Sequence, residues 1–179
     1  MTIKIEGKRI VIRQPKISDA KDIYSYAKDR EISRYTSVPH PYSLKHAKQF
    51  IARSHKKIKK KSGYDLVIVL KETNQFIGTC GLTTVDKENK KAELGYWIGK
   101  PFWGQGFASE ATKLLLDFGF NKMKLHRIYA RVFAPNKASV NVLEKCGFKL
   151  EGRLRQDHFR NGKWLDHFMY GILKDEYNK

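Results

Sequence analysis

The first third of the chain has the hydrophobic pattern of one strand followed by two helices. The segment Arg9-Ile10-Val11-Ile12-Arg13 has the residue pattern of a strand, and the predicted strand stops before Pro15. Apolar residues then recur at helical spacing behind Ser18 and again behind Ser43, and each serine is a suitable helix N-cap. The pattern therefore predicts β-α-α up to about residue 61.

Three apolar segments with short polar connections follow. They cover residues 64–71, 76–85 and 92–98, and the connections 72–75 and 86–91 are too short for a crossover helix. The three strands are therefore predicted to form an antiparallel meander.

The period changes again after Gly99, and the rest of the chain alternates helices with strands. The predicted elements are a helix over about 106–121, a strand over 127–133, a helix over 136–146, and strands over about 148–157 and 163–173 joined by an Asn161-Gly162 turn. The order is β-α-α-β-β-β-α-β-α-β-β. We predict an α/β (α+β) fold, with one mixed, mostly antiparallel sheet flanked by helices in a single domain over residues 1–179.

Charge is the next distinctive property. The 179 residues carry a formal net charge of +18, and residues 1–61 hold 17 basic against 5 acidic side chains. The run His55-Lys56-Lys57-Ile58-Lys59-Lys60-Lys61 is typical of a solvated helix end, and a surface facing RNA or a ribosome is the alternative.

No apolar run approaches the roughly 18–20 residues of a membrane span, and the N-terminus lacks a signal peptide's apolar segment, so a cytoplasmic protein without membrane contact is expected. Neither the two cysteines nor the six histidines have metal-site spacing, so no metal is expected.

A glycine-rich turn between a strand and a helix is the most informative segment. Small residues let the backbone approach a ligand, and the unpaired N–H groups of a helix's first turn attract phosphate. A tight turn that needs glycine for its dihedral angles is the alternative. The P-loop pattern is absent, and a dinucleotide-binding fold fails because Ser109 replaces the third glycine and no acid ends the next strand. The turn reads Trp103-Gly104-Gln105-Gly106-Phe107-Ala108.

Two motifs together resemble the GNAT superfamily of acetyl-CoA-dependent N-acetyltransferases. The turn matches [QR]-x-x-G-x-[GA] with Trp103 at the first position, and the segment from Asn136 through Ser139 to Phe148 matches N-x-x-S-x-x-x-L-E-K-x-G-F. Gly95-Tyr96-Trp97-Ile98 and Ser109-Glu110-Ala111 are similar to the RimJ/RimL-type branch, which acetylates the N-termini of ribosomal proteins. The resemblance implies an acyl-CoA N-acyltransferase-like fold and acetyl-CoA as cosubstrate.

The resemblance also implies where acetyl-CoA would bind. Its pantetheine arm would lie beside the strand ending at Gly99, its pyrophosphate would meet the N–H groups of the turn, and Asn136 and Ser139 would hold the arm. A plain helix N-cap is the alternative for Asn136. The implied cofactor-binding residues are Trp97, Ile98, Gly99, Gly104, Gln105, Gly106, Phe107, Ala108, Ser109, Asn136 and Ser139.

Direct attack of an amine on the thioester needs a base, because an ammonium must first lose a proton. Glu93, acting through a water, is the leading candidate, and Asp157 and His158 are weaker alternatives. Leu143 stands where many relatives have a tyrosine acid, so either Ser139 protonates the thiolate or the thiolate leaves unaided.

A protein N-terminal α-amine is the acceptor that the branch resemblance implies. Tyr35, His40 and Tyr42, in the loop between the first two helices, are the predicted substrate residues. Polyamines or aminoglycosides are alternative acceptors that a +18 protein should repel, and a non-catalytic basic RNA-binding module is an alternative of another class. Either a monomer or a homodimer is compatible with the sequence.

Overall fold

The computed structural model describes residues 3–160 and 162–177. The strands are β1 (Lys4–Glu6), β2 (Ile10–Arg13), β3 (Tyr64–Leu70), β4 (Phe76–Asp86), β5 (Lys91–Ile98), β6 (Arg127–Phe133), β7 (Lys149–Arg160) and β8 (Lys163–Leu173). The helices are α1 (Ala20–Ala27), α2 (Arg30–Arg34), α3 (Leu44–Lys60), α4 (Phe107–Asp117), α5 (Lys137–Lys145) and α6 (Lys174–Tyr177), and a π-helical turn over Phe118–Lys122 prolongs α4.

All eight strands form one sheet in the order β1-β2-β3-β4-β5-β6-β8-β7. Every neighbouring pair is antiparallel except β5 and β6, so the predicted fold class is confirmed and β3, β4 and β5 form the predicted meander. The strand β3 is apolar without a break from residue 66 to residue 70, because helices cover both faces of the sheet there. Its five central residues, which also include Asp65, are buried.

Helices on the two faces enclose separate apolar clusters. The larger cluster joins α4 and α5 to the sheet, with Leu115, Phe120 and Leu143 fully buried. The smaller cluster lies under α1 and α3 and includes Ile23 and Phe76. The two faces therefore offer different surroundings to a ligand that enters between β5 and β6.

The structure corrects several predicted boundaries. The strand β1 was missed because it has only three residues, two of them charged. Asp19 rather than Ser18 stands at the N-cap position of α1, but its side chain does not cap the helix. The Asp19 carboxylate instead accepts from the Lys16 N–H at 2.6 Å and pairs with Arg13 of β2 at 2.8 Å. Ser43 does cap α3, where its hydroxyl accepts from the His46 N–H.

The final hairpin is longer than expected. The strand β7 runs to Arg160 and pairs it with Lys163, and Gly162 adopts a positive φ of 75°. The predicted turn residue Asn161 lies outside the described residues. Most of β7 is exposed at the edge of the sheet, where the charged side chains of Lys149, Arg153, Arg155 and Arg160 discourage pairing with another strand.

Candidate active site

Strands β5 and β6 part soon after they begin, and this separation opens the site. They pair only from Lys91 with Arg127 to Glu93 with Tyr129. Beyond Glu93 a cavity of about 1160 Å³ extends between them, from the glycine-rich turn before α4 to the β7–β8 hairpin. Two parallel strands that separate leave backbone groups without a partner strand, which suits a ligand that adds like a strand.

The backbone of β5 offers this opening fewer groups than predicted. The Gly99 N–H is not available, because it donates to the Ile77 carbonyl at 2.8 Å on the β4 side. By the two-residue period of a strand, Trp97 turns its backbone to the same side as Gly99, toward β4. Ile98 therefore remains the residue whose backbone faces the gap.

The glycine-rich turn has the geometry of an anion site. Gly104 and Gly106 adopt φ values of 74° and 79°, and Gly106 begins α4 without any side-chain cap. The N–H groups of Phe107, Ala108 and Ser109 thus enter the first turn without helical partners. A Cβ on Gly104 would meet nothing within 4 Å, so a ligand can approach this backbone closely.

Two side chains that the sequence did not single out hold this turn. Trp103, which departs from the motif, donates from Nε1 to the Ile98 carbonyl at 2.6 Å and ties the turn to β5. Arg9 donates to the Gln105 carbonyl at 2.9 Å, pairs with Glu110 at 2.9 Å and lies over the Phe107 ring. Gln105 itself bends back onto the Pro101 carbonyl at 3.0 Å.

Asn136 and Ser139 meet at the start of α5. The Asn136 Oδ1 accepts from the Ser139 N–H at 3.1 Å, so Asn136 is a helix N-cap, with its Nδ2 left for another partner. The Ser139 hydroxyl shares a 2.9 Å hydrogen bond with Tyr96 of β5. Burial raises the pKa of Tyr96 to about 12, so the phenol keeps its proton at neutral pH. Leu143 is fully buried and supplies no polar group.

Glu93 lines the cavity and is bound by an arginine. The Arg131 guanidinium donates to Glu93 Oε1 from Nε at 2.9 Å and to Oε2 from Nη2 at 3.3 Å. The two residues face each other across the point where β5 and β6 separate. The sequence suggested Glu93 without indicating this partner from the neighbouring strand.

Asp157 and His158 also line the cavity and bring in a further residue, His167. His167 Nδ1 lies 2.8 Å from Asp157 Oδ2, and its ring packs against Phe133 with a centroid distance of 4.3 Å. The His158 ring lies 5.7 Å from that of His167. His167 was not predicted, because its position in β8 looks like any other strand residue.

The predicted substrate loop is only partly in place. Tyr35 and Tyr42 line the cavity, but His40 is exposed and does not, because the chain turns it to solvent between Pro39 and Pro41. Arg160 of β7 holds the loop by donating to the carbonyls of Thr36 and Val38.

The basic run at the end of α3 has one residue with a structural role. Lys57 lies 3.0 Å from Asp65 and donates to the Thr83 carbonyl at 3.0 Å, so it fastens α3 to the sheet.

Both cysteines are buried, and burial raises the pKa of the Cys146 thiol, in keeping with a core residue. Within residues 3–160 and 162–177, no three His, Cys, Asp or Glu side chains come together as metal ligands. No helix in the described part of the chain is long and apolar enough to cross a bilayer.

Comparison with known proteins decides the family. The acetyltransferase (GNAT) domain matches residues 9–149. The uncharacterized N-acetyltransferase p20 of Bacillus licheniformis is 35% identical over 169 residues, which cover 94% of this chain and 95% of that protein. The chain belongs to the GNAT acetyltransferase family.

Two solved GNAT structures share the fold. The ribosomal L7/L12 α-N-protein acetyltransferase RimL in complex with coenzyme A superposes with a TM-score of 0.89 at 20% identity, covering 98% of this chain and 99% of that one. The spermidine N-acetyltransferase of Vibrio cholerae, in complex with CoA and spermine, gives 0.83 at 27% identity, covering 96% and 99%. The family expected from the two motifs is thereby confirmed.

Acetyl-CoA is the cosubstrate of this GNAT enzyme, and the site fits it. The positive-φ glycines and the uncapped α4 N-terminus match a pyrophosphate. The gap between β5 and β6 matches an extended arm, and the cavity continues past Ser139 to a region lined by ionisable side chains. Thioester binding and proton transfer can thus occur in one connected space.

Proposed function

We propose that this GNAT enzyme transfers acetyl from acetyl-CoA to the N-terminal α-amine of a protein. The fold alone does not choose the acceptor, since RimL and a spermidine acetyltransferase both share it. The charge balance at the acceptor end of the cavity supports the choice.

Among the described residues, three of the four carboxylates that line the cavity are paired with an arginine or a lysine, and the fourth, Asp157, is hydrogen-bonded to His167. The pairs are Glu31–Arg34, Asp65–Lys57, Glu93–Arg131 and Asp157–His167. A polyamine carries several positive charges and needs carboxylates left over to meet them. A peptide N-terminus brings one ammonium group and an otherwise largely neutral backbone, which suits a cavity in which Asp157 is the one carboxylate without a lysine or arginine partner.

The roles proposed for the residues follow from their positions. Acetyl-CoA supplies an activated acyl group as its thioester. The backbone N–H groups from Gly104 to Ser109 would hold its pyrophosphate, and the Ile98 backbone and the Asn136 amide would hold its arm. Ser139 Oγ would deliver a proton to the leaving sulfur, with the Tyr96 phenol restoring it.

The acceptor would enter between the loop containing Tyr35 and Tyr42 and the β7–β8 hairpin. Glu93 is the base expected from the sequence, but Arg131 donates to both of its oxygens, and Glu93→Gln tests whether it acts in the reaction. Proximity to a ribosome and the choice between monomer and homodimer stay predictions of the sequence. Membership of an enzyme family argues against the non-catalytic RNA-binding alternative.

The test is release of CoA thiol from acetyl-CoA with a panel of acceptors. The panel contains peptides with free Ala, Ser or Met N-termini, the same peptides with blocked N-termini and an internal lysine, and spermidine. We expect turnover only with free N-termini, and mass spectrometry should place the acetyl group on the α-nitrogen. Faster turnover of spermidine, or acetylation of the lysine in blocked peptides, would overturn the proposed acceptor.

A further inference from the structure

Asp157, His158 and His167 form an ionisable cluster at the acceptor end of the cavity, away from the glycine-rich turn. His167 is 7% exposed, and its Nδ1 lies 2.8 Å from the Asp157 carboxylate. Phe133 packs against both histidine rings, with centroid distances of 5.1 Å to His158 and 4.3 Å to His167. The motifs that identify the family include none of these residues.

An irregularity in β7 brings the cluster together. The register between β7 and β8 shifts between Leu154 and His158, and Gln156 within the shift has a φ of 53°. The Asp166 carboxylate holds this bulge by accepting from the Gln156 N–H at 2.7 Å and from Arg153 at 2.6 Å. Bulges commonly re-aim side chains beside active sites, and here the bulge brings Asp157 onto His167.

The hydrogen bond to Asp157 sets the tautomer of His167. An ionised carboxylate can only accept, so Nδ1 must carry the hydrogen of a neutral ring and Nε2 must carry the lone pair. A buried imidazole oriented by a carboxylate is the arrangement used for general bases. Glu93, in contrast, already accepts through both oxygens from Arg131.

We propose that His167 is the general base of this enzyme and that Asp157 is its positioning residue. This proposal rests on the acetyl transfer described under Proposed function. His167 Nε2 takes one proton from the acceptor ammonium and later releases it to solvent. The amine then forms the C–N bond as the C–S bond breaks, and the second proton lost from nitrogen balances the thiol of CoA.

The charged groups around His167 are compatible with a neutral ring that gains a proton. Asp157 and His158 of β7 lie beside its ring, Arg160 of β7 and Arg131 of β6 interact with His158, and Arg131 in turn binds Glu93 of β5. Burial, together with His167, lowers the pKa of His158, so that this neighbour is uncharged at neutral pH. Asp157 is therefore the carboxylate in direct contact with the His167 ring, at 2.8 Å from Nδ1.

The first test is the pH dependence of kcat/KM, with whichever amine the enzyme acetylates. We expect His167→Gln to lower kcat/KM about 100-fold at pH 7 and to remove the acid limb, so that activity rises steadily toward the pKa of the amine. Asp157→Asn should have a similar effect, and the double variant should be no worse, because the two residues act as a unit. His126→Gln, at an exposed histidine outside the cavity, is the matched control.

The second test does not depend on turnover. Long-range ¹⁵N–¹H NMR of the ligand-free enzyme should show His167 as the Nδ1–H tautomer, and Asp157→Asn should change that tautomer while thermal unfolding shows a folded protein. An Nε2–H tautomer in the wild type, or a His167→Gln profile that keeps its acid limb, would overturn the proposal. A large loss confined to Glu93→Gln would overturn it in favour of Glu93. Failure to acetylate N-termini would leave these readouts intact and would count against the proposed acceptor alone.

Discussion

The cofactor side and the acceptor side of this cavity are built in different ways. The cofactor side consists mainly of backbone groups, namely the glycine-rich turn and the first turn of α4, which come from one continuous segment. The acceptor side consists of side chains, with Glu93, Arg131, Asp157 and His167 brought from four strands. One side depends on local chain conformation and the other on tertiary packing.

The difference has consequences for mutation. A backbone site is insensitive to most side-chain changes and sensitive to any change in dihedral angle. A site made of paired charges responds to single substitutions, because each removal leaves a partner unpaired. Variants on the cofactor side should therefore change CoA affinity, and variants on the acceptor side should change acceptor kinetics.

The largest effect on binding is expected from Gly106→Val. A β-branched residue is strained at a φ of 79°, and the left-handed conformation costs about 1–2 kcal/mol, so CoA should bind about 5–30-fold more weakly. Isothermal titration calorimetry with CoA measures this, and Gly152→Val, where a Cβ meets nothing within 4 Å, is the control. If Gly106→Val bound CoA with unchanged affinity, CoA binding would not depend on the backbone conformation of the turn. The contrast between the two sides of the cavity would then not hold.

Substitutions of Asn136 separate helix capping from ligand binding. Asn136→Ala loses both the cap and the amide, so we expect a loss of about 1 kcal/mol in the free energy of unfolding, roughly 2–4 °C in Tm. Asn136→Asp keeps an acceptor for the Ser139 N–H and should keep the Tm. Both variants should bind CoA about 10-fold more weakly if the amide N–H₂ holds the arm. Full CoA affinity in Asn136→Asp would reduce Asn136 to a cap.

A smaller effect, confined to the acceptor side, is expected from Arg160→Ala. This change frees the loop carbonyls of Thr36 and Val38, so the KM for the acceptor should rise about 5–10-fold as the loop loses two charge-assisted hydrogen bonds. The dissociation constant of CoA should not change. Lys163→Ala, at an exposed position of the same hairpin, is the control, and a parallel loss of CoA affinity would show that the two sides are coupled.

The smallest effect concerns stability at high pH. Burial raises the pKa of Tyr96 to about 12, above the ordinary value of about 10, so the folded state holds this proton more tightly. The stability that this proton gives the folded state is fully present below pH 10 and is lost as the pH rises toward 12. Tyr96→Phe should therefore lose less Tm than the wild type between pH 10 and 12, measured by circular dichroism with Tyr24→Phe as control. Equal losses would mean that the Tyr96 phenol does not keep its proton.

The local sequence predicted most of the fold and most of the cofactor side. Hydrophobic periods identified the meander, α4 and the final hairpin, and two motifs located Asn136, Ser139 and the glycine-rich turn. The predictions failed where distant parts of the chain decide the outcome. The Gly99 N–H is engaged by β4, the Asp19 carboxylate binds Arg13 and α1 begins without a side-chain cap, and His40 turns away from the cavity.

The sequence by itself determined the elements, the family and the turn that suits a pyrophosphate, because short-range periodicity and glycine dihedrals are properties of neighbouring residues. Only the tertiary structure decided which residues contact each other in the site. Tyr96 reaches Ser139, Arg9 holds the turn from 96 residues away, and Asp157 meets His167 through a bulge in β7. Such contacts depend on strand order and register, which place side chains together regardless of their separation along the chain.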